Sequence, residues 1–416
     1  DTVCLVRHVC PPASARSAQK SQTRERPDAV NTPGSPSDFR AALTHTLPDL
    51  LVLNEAAGAT DRLPYEQDWR KRYQGLALAI VFPRSTEQVQ ALVKLCAQWR
   101  IAIVPQGGNT SLVGGSVPDH SGQQLLVNLS KMNQVLAVDT ANMSITVQAG
   151  CTLHAVQTAA QQAGLLFPLS LASEGSCTIG GNLATNAGGT KVLRFGTARD
   201  LCLGVEAVTA TGDVYAGLHA LRKDNTGYAI KDLLVGSEGT LGILTAATLR
   251  LYPRPASQQA ALITCPDLRA AVSLLTLARQ HLDACLTGLE IIHLDAFQLA
   301  QQHTPQQAHV ADALMASDNR PQWLVLLDAA GPQNAAALQD QLETLIAQAI
   351  DQQWAFNATL SQNDTQYRAM WQLRETIPMA EKIEGQMVKH DIAVPTSSVP
   401  DFVDQCQAAL MASFPG

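Results

Sequence analysis

The residues whose types and spacing could do chemistry lie in four glycine-rich loops between Pro105 and Ile243. The first runs Pro105-Gln106-Gly107-Gly108-Asn109-Thr110-Ser111-Leu112-Val113-Gly114-Gly115. The second, from Glu174 to Gly189, contains Gly175, Thr178, Gly180, Gly181, Asn182, Thr185, Asn186, Gly188 and Gly189. Lys223-Asp224-Asn225-Thr226-Gly227-Tyr228 and Gly236-Ser237-Glu238-Gly239-Thr240-Leu241-Gly242-Ile243 follow. Glycine lets the backbone approach a ligand and adopt positive φ, and successive main-chain N–H groups in such turns form a concave site for phosphate oxygens. Any one of these loops alone could be a tight turn. Four in order suggest a long, bent, anionic cofactor.

Two commoner nucleotide signatures do not fit. A Walker loop needs Gly-Lys-Ser/Thr, and the first loop has no lysine; a Rossmann fingerprint opens a helix, whereas Gly114-Gly115 leads through Ser116-Val117-Pro118 into a strand-rich stretch.

The elements that must hold these loops are legible from periodicity. Leu76–Phe82 predicts a buried strand, Ser85-Thr86-Glu87 caps an amphipathic helix, and Ile101–Pro105 predicts the strand that delivers the first loop. Further strands are predicted at Gln124–Leu129, Gln134–Asp139, Ser144–Ala149, Leu203–Thr209, Asp213–Ala216, Asp232–Val235 and Ile243–Leu251. A helix from about Thr152 ends at Gly164, a left-handed cap. Tyr252-Pro253-Arg254-Pro255 marks a boundary. Beyond it, strands are predicted at Ala260–Thr264, Leu286–Ile292, Trp323–Leu327 and Val388–Val394, with helices at Leu268–His281, Asn334–Trp354 and Asp364–Ile383. This alternation predicts an α+β layer with helices on one face of an antiparallel sheet.

At 416 residues and 46% hydrophobic content the chain can bury at least two cores. A formal charge of −7 supplies no basic field, which argues against nucleic acid as a partner. The nine cysteines form no CxxC pair, so they are read as inert thiols in a reducing compartment, the cytoplasm, with an organelle matrix or peripheral membrane association as alternatives. No run approaches the ~18 apolar residues of a membrane span, so no transmembrane segment is expected. Residues 11–39, rich in Pro, Ser, Arg and Asp, make residues 1–40 a disordered tail, with a helical lead-in over 41–74.

Taken in order, the loops resemble the FAD-binding domain of the vanillyl-alcohol oxidase type, also called the PCMH type, from about Gly75 to Pro255. Pro-x-Gly-Gly-x-Thr-Ser-Leu-x-Gly-Gly and Gly-Ser-Glu-Gly-Thr-Leu-Gly-Ile are its most specific parts. By this resemblance Gln106 to Ser111, with Gly114 and Gly115, would wrap the FAD pyrophosphate. Glu174 to Gly189 and Glu238, Gly239, Gly242 and Ile243 would complete the site. No His or Cys lies between Gln106 and Pro118, so noncovalent FAD is expected.

The remainder, 256–416, is similar to the substrate region of the D-2-hydroxyglutarate and D-lactate dehydrogenases and the glycolate oxidase D subunit. The carriers of the likeness are Trp371-Gln372-Leu373-Arg374-Glu375-Thr376-Ile377 and Lys389-His390-Asp391-Ile392-Ala393-Val394-Pro395. It implies an α+β, ferredoxin-like, FAD-linked oxidase C-terminal domain in which Arg374 and Lys389 hold substrate carboxylates. A planar guanidinium fork and a compact ammonium suit that task. The plainer alternative pairs Arg374 with Glu375 or Glu381 on a solvated helix face. His390 and Pro378 depart from the subgroup, which bears on the second carboxylate contact.

Relatives of this subgroup continue into a His-x-Gly-Asp-Gly-Asn-x-His segment that binds a divalent metal and supplies a catalytic histidine. This sequence stops at Phe414-Pro415-Gly416, and His281, His293, His303 and His309 lack metal spacing. Either the chain is a fragment or it lacks the metal site. The implied activity is oxidation of a small D-2-hydroxy acid, with a noncatalytic flavin-binding subunit as the alternative. An electron-transfer flavoprotein or a quinone-linked carrier is the implied acceptor, and a homodimer is compatible with the reading.

Overall fold

The computed structural model describes residues 35–54, 58–308, 311, 314, 321–385 and 391–414. The chain divides into two compact units, one holding residues 35–189 and 195–254, the other residues 190–194 and 255–414.

The first unit is built on two sheets. The smaller contains β1 (Leu51–Leu53), β2 (Ala77–Phe82), β3 (Ile103–Gln106) and β4 (Gln124–Asn128) in the order β1-β2-β4-β3. β4 runs parallel to both β2 and β3, and β1 pairs antiparallel with β2. All six residues of β2 are buried, as its unbroken apolar run requires. Helix Thr86–Trp99 links β2 to β3, is capped by Ser85, and packs Val89, Leu92 and Val93 against Leu78, Val81, Leu125 and Val127.

The larger sheet is antiparallel. It orders β5 (Val135–Asp139), β6 (Ser144–Gln148), β8 (Cys202–Thr209), β9 (Val214–Gly217) and β10 (Gly242–Arg250) as β5-β6-β10-β8-β9. Helices Leu153–Gln162 and Ile179–Ala184 cover it through Leu153, Val156, Ile179 and Leu183. Val208 and Ile243 from this sheet and Ala149 beyond β6 join the core of the smaller sheet. A short ribbon of β7 (Leu165–Leu166) and β11 (Tyr252–Pro253) completes the unit.

In this unit three expectations are corrected. Of the expected disordered tail, residues 1–34 lie outside the described residues, but residues 36–40 open helix Pro36–Thr46. Ser35 and Asp38 form a reciprocal capping box, Pro36 occupies the first turn, and Phe39 and Leu43 are buried. The lead-in also contains β1 besides helix Ala59–Glu66. Within that helix Arg62 pairs with Glu66, whose Oε1 accepts the Ala77 N–H at 2.8 Å, tying the helix to β2. The strand expected at Asp232–Val235 is instead helix Ile230–Leu234, because the apolar run Leu233-Leu234-Val235 is too short to carry a decisive period.

The second unit has one antiparallel sheet: β12 (Ser257–Cys265), β13 (Leu286–His293), β14 (Trp323–Gly331) and β15 (Asn357–Leu360), ordered β13-β14-β12-β15. Helix Leu268–Leu282 joins β12 to β13 and helix Ala335–Asp351 joins β14 to β15, which is the ferredoxin-like order. Helices were expected on one face, and they cover both. Val325 and Leu327 face the two connecting helices, while Leu324 and Leu326 face helices Leu294–His303 and Asp364–Glu384. Every residue of β14 is buried, so its apolar run serves two cores rather than one. The strand expected at Val388–Val394 falls partly outside the described residues, and residues 391–395 have no regular structure.

Candidate functional site

In the first unit the glycine loops frame a cavity of about 300 Å³. β3 carries the chain into it at Pro105 and Gln106. Gln106 is almost fully buried and its amide is engaged within the protein: Nε2 donates to the carbonyls of Tyr65 and Ser116, each at 2.8 Å, and Oε1 accepts from Asn128 Nδ2 at 2.9 Å. Asn109, at φ +53°, donates through Nδ2 to the carbonyls of Pro64 at 3.0 Å and Gln67 at 2.8 Å, and accepts from Ser116 Oγ at 2.9 Å. These amides set the loop's shape. Among the described residues no hydrogen bond engages the main-chain N–H of Gly108, Asn109 or Thr110, so the loop presents donors to the cavity it lines.

The second loop closes onto the first so tightly that side chains are excluded. A Cβ on Gly107 would collide with Thr178 Oγ1, and one on Gly108 with the Ser176 carbonyl oxygen. Thr178 precedes helix Ile179–Ala184 without capping it through its side chain. Thr178 and Asn182 line the cavity, and Thr178 Oγ1 and Asn182 Nδ2 are buried without a protein partner. A buried polar group without a partner costs about 1–3 kcal/mol, so these two atoms fit a polar ligand in the cavity. Ser237, Glu238 at φ +52°, Gly239, Gly242 and Ile243 form the third wall.

Pro105 to Ser111, Gly115, Thr178, Gly180, Gly181, Asn182, Thr185, Glu238, Gly239, Gly242 and Ile243 all line this cavity. Other residues singled out from the sequence do not. Gly114 lies against the Tyr73 ring, and Gly189 packs on the Ser170 carbonyl. Glu174 accepts from Gln157 Nε2 at 3.2 Å, and Asn186 Oδ1 takes the Arg199 N–H at 3.0 Å. Gly175 and Gly188 are exposed, as is the third glycine loop, where Tyr228 is 90% accessible. Leu129, Leu171 and Leu244 also line the cavity. Their sequence surroundings are those of ordinary core residues, and only the folding of both sheets brings them there.

In the second unit Arg374 sits on helix Asp364–Glu384 and is half-buried. The guanidinium reaches across to β13, to a partner that was not among those considered from the sequence. Arg374 Nε and Nη2 each lie 2.9 Å from Glu290 Oε2, and the Glu290 side chain is 12% accessible. On the same helix, burial and then the Asp328 carboxylate push the Tyr367 phenol far above its ordinary range, keeping it protonated. Lys389 and His390 lie outside the described residues.

The described histidines singled out from the sequence do not line the glycine-loop cavity. His281 Nε2 bonds Gln348 Oε1 at 2.8 Å, His293 caps helix Leu294–His303, and His303 lies near Glu384; His309 is outside the described residues. Among the described residues no group of three or more His, Cys, Asp or Glu side chains is placed to hold a metal ion. Burial pushes the thiols of Cys96, Cys202 and Cys265 up to about 12, which keeps them as unreactive core groups. Among the described residues no helix is long and apolar enough to cross a membrane.

A cavity walled by glycine loops in one unit and, in the other, a ferredoxin-like sheet with a half-buried arginine define a class of flavin-dependent oxidoreductase, and comparison with known proteins agrees. The FAD binding domain family matches residues 77–216, and the FAD linked oxidases, C-terminal domain, matches residues 254–414. The chain is 33% identical over 402 residues to the mitochondrial D-2-hydroxyglutarate dehydrogenase of Bos taurus, covering 96% of this chain and 71% of that protein. It is 35% identical to the D-2-hydroxyglutarate dehydrogenase of Xanthomonas citri pv. viticola, covering 90% of this chain and 75% of that one. Against the mitochondrial Arabidopsis thaliana enzyme the identity is 34%, and this chain spans 60% of that protein's length. Among solved structures, alkyldihydroxyacetonephosphate synthase aligns at TM-score 0.71 and 21% identity, covering 92% of this chain and 77% of that one. p-Cresol methylhydroxylase aligns at TM-score 0.61 and 19% identity, covering 82% and 70%. At such identities they speak for the fold alone.

The chain belongs to the family of FAD-dependent 2-hydroxy-acid dehydrogenases that includes the D-2-hydroxyglutarate dehydrogenases.

Proposed function

We propose that this protein oxidises a D-2-hydroxy acid of the 2-hydroxyglutarate, lactate or glycolate class to the 2-oxo acid. The observation that carries the reading is the glycine-walled cavity with two unpartnered buried polar atoms, Thr178 Oγ1 and Asn182 Nδ2, in a chain whose relatives are named for D-2-hydroxyglutarate. FAD, when bound, supplies the hydride acceptor for the substrate Cα–H bond.

The chain's own residues bind and orient. The main-chain N–H groups of Gly108, Asn109 and Thr110, shaped by the Gln106 and Asn109 amides, hold the pyrophosphate. Thr178 and Asn182, on the second loop, would donate to the cofactor. Leu129, Leu171 and Leu244 line the cavity with apolar surface that excludes water. Arg374, with Lys389, holds the substrate carboxylate, a role suited to a guanidinium already half-withdrawn from solvent. The electrons leave to an electron-transfer flavoprotein or a quinone-linked carrier, the protein resides in the cytoplasm or an organelle matrix, and its assembly is a homodimer.

The test is anaerobic bleaching of the flavin band near ~450 nm with a panel of D- and L-2-hydroxy acids. Bleaching by a D-acid and not by its L-enantiomer is the expected result. Bound FAD that no acid bleaches, or that NADPH alone reduces fully, overturns the reading.

A further inference from the structure

Residues 68–73 of the first unit form a closed loop next to the first glycine loop. Gln67 and Gln74 pair across its neck, the Asp68 N–H donates to the Tyr73 carbonyl at 2.9 Å, and Lys71, at φ +58°, donates its N–H to the Asp68 carbonyl at 2.9 Å. The Asp68 carboxylate is buried inside the loop and accepts the N–H groups of Arg70, Arg72 and Tyr73. The main chain is thus tied inward, while Trp69 is 63% and Tyr73 50% accessible and Lys71 and Arg72 are exposed. In a chain of formal charge −7, Trp69-Arg70-Lys71-Arg72-Tyr73 sets three cations in a row between two aromatic rings. Among the described residues no ion pair or hydrogen bond engages the side chains of Arg70, Lys71 or Arg72. The loop is fastened to the cofactor site: the Tyr73 ring lies against Gly114, between exposed Val113 and the cavity-lining Gly115, and Asn109 Nδ2 donates to the Gln67 carbonyl at 2.8 Å.

We infer that loop 68–73 is the docking surface for an acidic electron-carrier protein, a role that rests on the proposed flavin chemistry and names the kind of partner that completes it. The hydroxy acid loses two electrons and two protons on becoming the 2-oxo acid; the electrons reduce the redox group of the carrier, and the protons go to solvent. Charge complementarity selects the partner, because unpaired cations call for carboxylates on the facing surface. Composition points to a protein, since Trp, Tyr and Arg are the side chains that dominate protein–protein contacts. A loop already held by its own N–H bonds has little freedom left to lose on docking. At physiological salt a charge is screened within about 8 Å, so an approaching carrier meets the loop's cations rather than the net charge of the molecule. An anionic membrane fits less well, because basic lipid-binding clusters use about four to eight Lys or Arg and this loop has three. A carrier seated here lies against the wall of the cofactor cavity.

The experiment uses FAD-loaded protein whose flavin is reduced by light, so that carrier docking is read whether or not any hydroxy acid bleaches it, and a failure of the proposed substrate stays separate. Stopped-flow reoxidation is followed with two probes, electron-transfer flavoprotein as the carrier and benzoquinone as a small uncharged acceptor. With the carrier, the parent rate is expected to fall about 10-fold between about 20 and about 300 mM salt. The combined variant Arg70→Glu, Lys71→Glu and Arg72→Glu is expected to react at least about 10-fold more slowly at low salt and to lose that salt dependence. Its flavin content, its Tm and its rate with benzoquinone should match the parent. Equal carrier rates in parent and variant overturn the inference, as does an equal loss with benzoquinone, or a parent that benzoquinone reoxidises and the carrier does not. Two other occupants have their own readouts. Loop-dependent sedimentation with vesicles of about 30% phosphatidylserine, at unchanged carrier rates, assigns the loop to a membrane, and loss of a dimer in sedimentation velocity at unchanged carrier rates assigns it to a second copy; either overturns the inference. Should the combined variant not fold, Arg72→Glu alone decides: a carrier rate about 3-fold lower at low salt, with benzoquinone unaffected, supports the inference and an unchanged rate overturns it.

Discussion

The hydroxyl of Thr178 occupies the space where a side chain on Gly107 would begin, so the first and second glycine loops of the flavin cavity exclude any larger residue at that position. The same hydroxyl has no protein partner although it is buried. Close loop packing and an unmet hydrogen bond therefore converge on one atom.

Thr178→Val keeps the volume and removes the hydroxyl. Its expected effect is a 5- to 10-fold weaker FAD dissociation constant, on the order of 1 kcal/mol for one hydrogen bond. Apoprotein stability should hold or rise, since no buried hydroxyl is left unpaired in the empty protein. Fluorescence titration of apoprotein with FAD and a melting curve without FAD check both parts. An unchanged affinity would remove Thr178 from the cofactor site.

Glycines in these loops differ in what they tolerate, and a matched pair exposes it. In Gly108→Ala the new Cβ meets the Ser176 carbonyl, which is backbone and cannot step aside, so loss of bound flavin and a lowered Tm are expected. Gly175→Ala meets nothing within 4 Å and should match the parent in both respects. The ratio of flavin to protein absorbance after purification reads the first effect.

Arg374→Lys tests the fork rather than the charge. An ammonium has no planar edge for Glu290 and a shorter reach, so kcat/KM is expected to fall on the order of 100-fold while the flavin stays bound. Steady-state kinetics on flavin-replete protein decide it. Near-parent activity in the Lys variant would mean that charge alone suffices at this position.

Asp68 shows a pH dependence whose sign can be worked out. Burial opposes its charge, but the N–H groups of Tyr73, Arg72 and Arg70, accepted at 2.6, 2.7 and 3.0 Å, outweigh it and hold the carboxyl below its ordinary value. A folded-state pKa below the unfolded one means stability that is fully present above about pH 4 and lost as pH falls through the lower folded value. Asp68→Asn should therefore lower Tm at pH 7 and approach the parent curve in strong acid. A Tm difference that stays constant from pH 7 to pH 2 would assign the effect to shape rather than charge.

Much of the cofactor site is local and so could be read along the chain. Glycines that must take positive φ or admit another backbone at close range leave a mark on the sequence, because no other residue meets those steric terms. Ser85 before a helix and Gly164 after one left theirs for the same reason. The start of the first helix escaped notice because its capping box, Ser35 to Asp38, sits in a polar stretch whose composition otherwise reads as a tail.

What the sequence by itself determined is the order of the glycine loops, the α+β class and the family. Each rests on constraints between residues close in the chain. The tertiary structure decided what pairing across distance alone can decide. It engaged the Gln106 amide within the protein and left Thr178 and Asn182 to face the cavity. It buried β14 between helices on both faces. It set Arg374 against Glu290, because β13 and helix Asp364–Glu384 meet on one sheet face and a half-buried guanidinium takes the carboxylate that folding sets beside it.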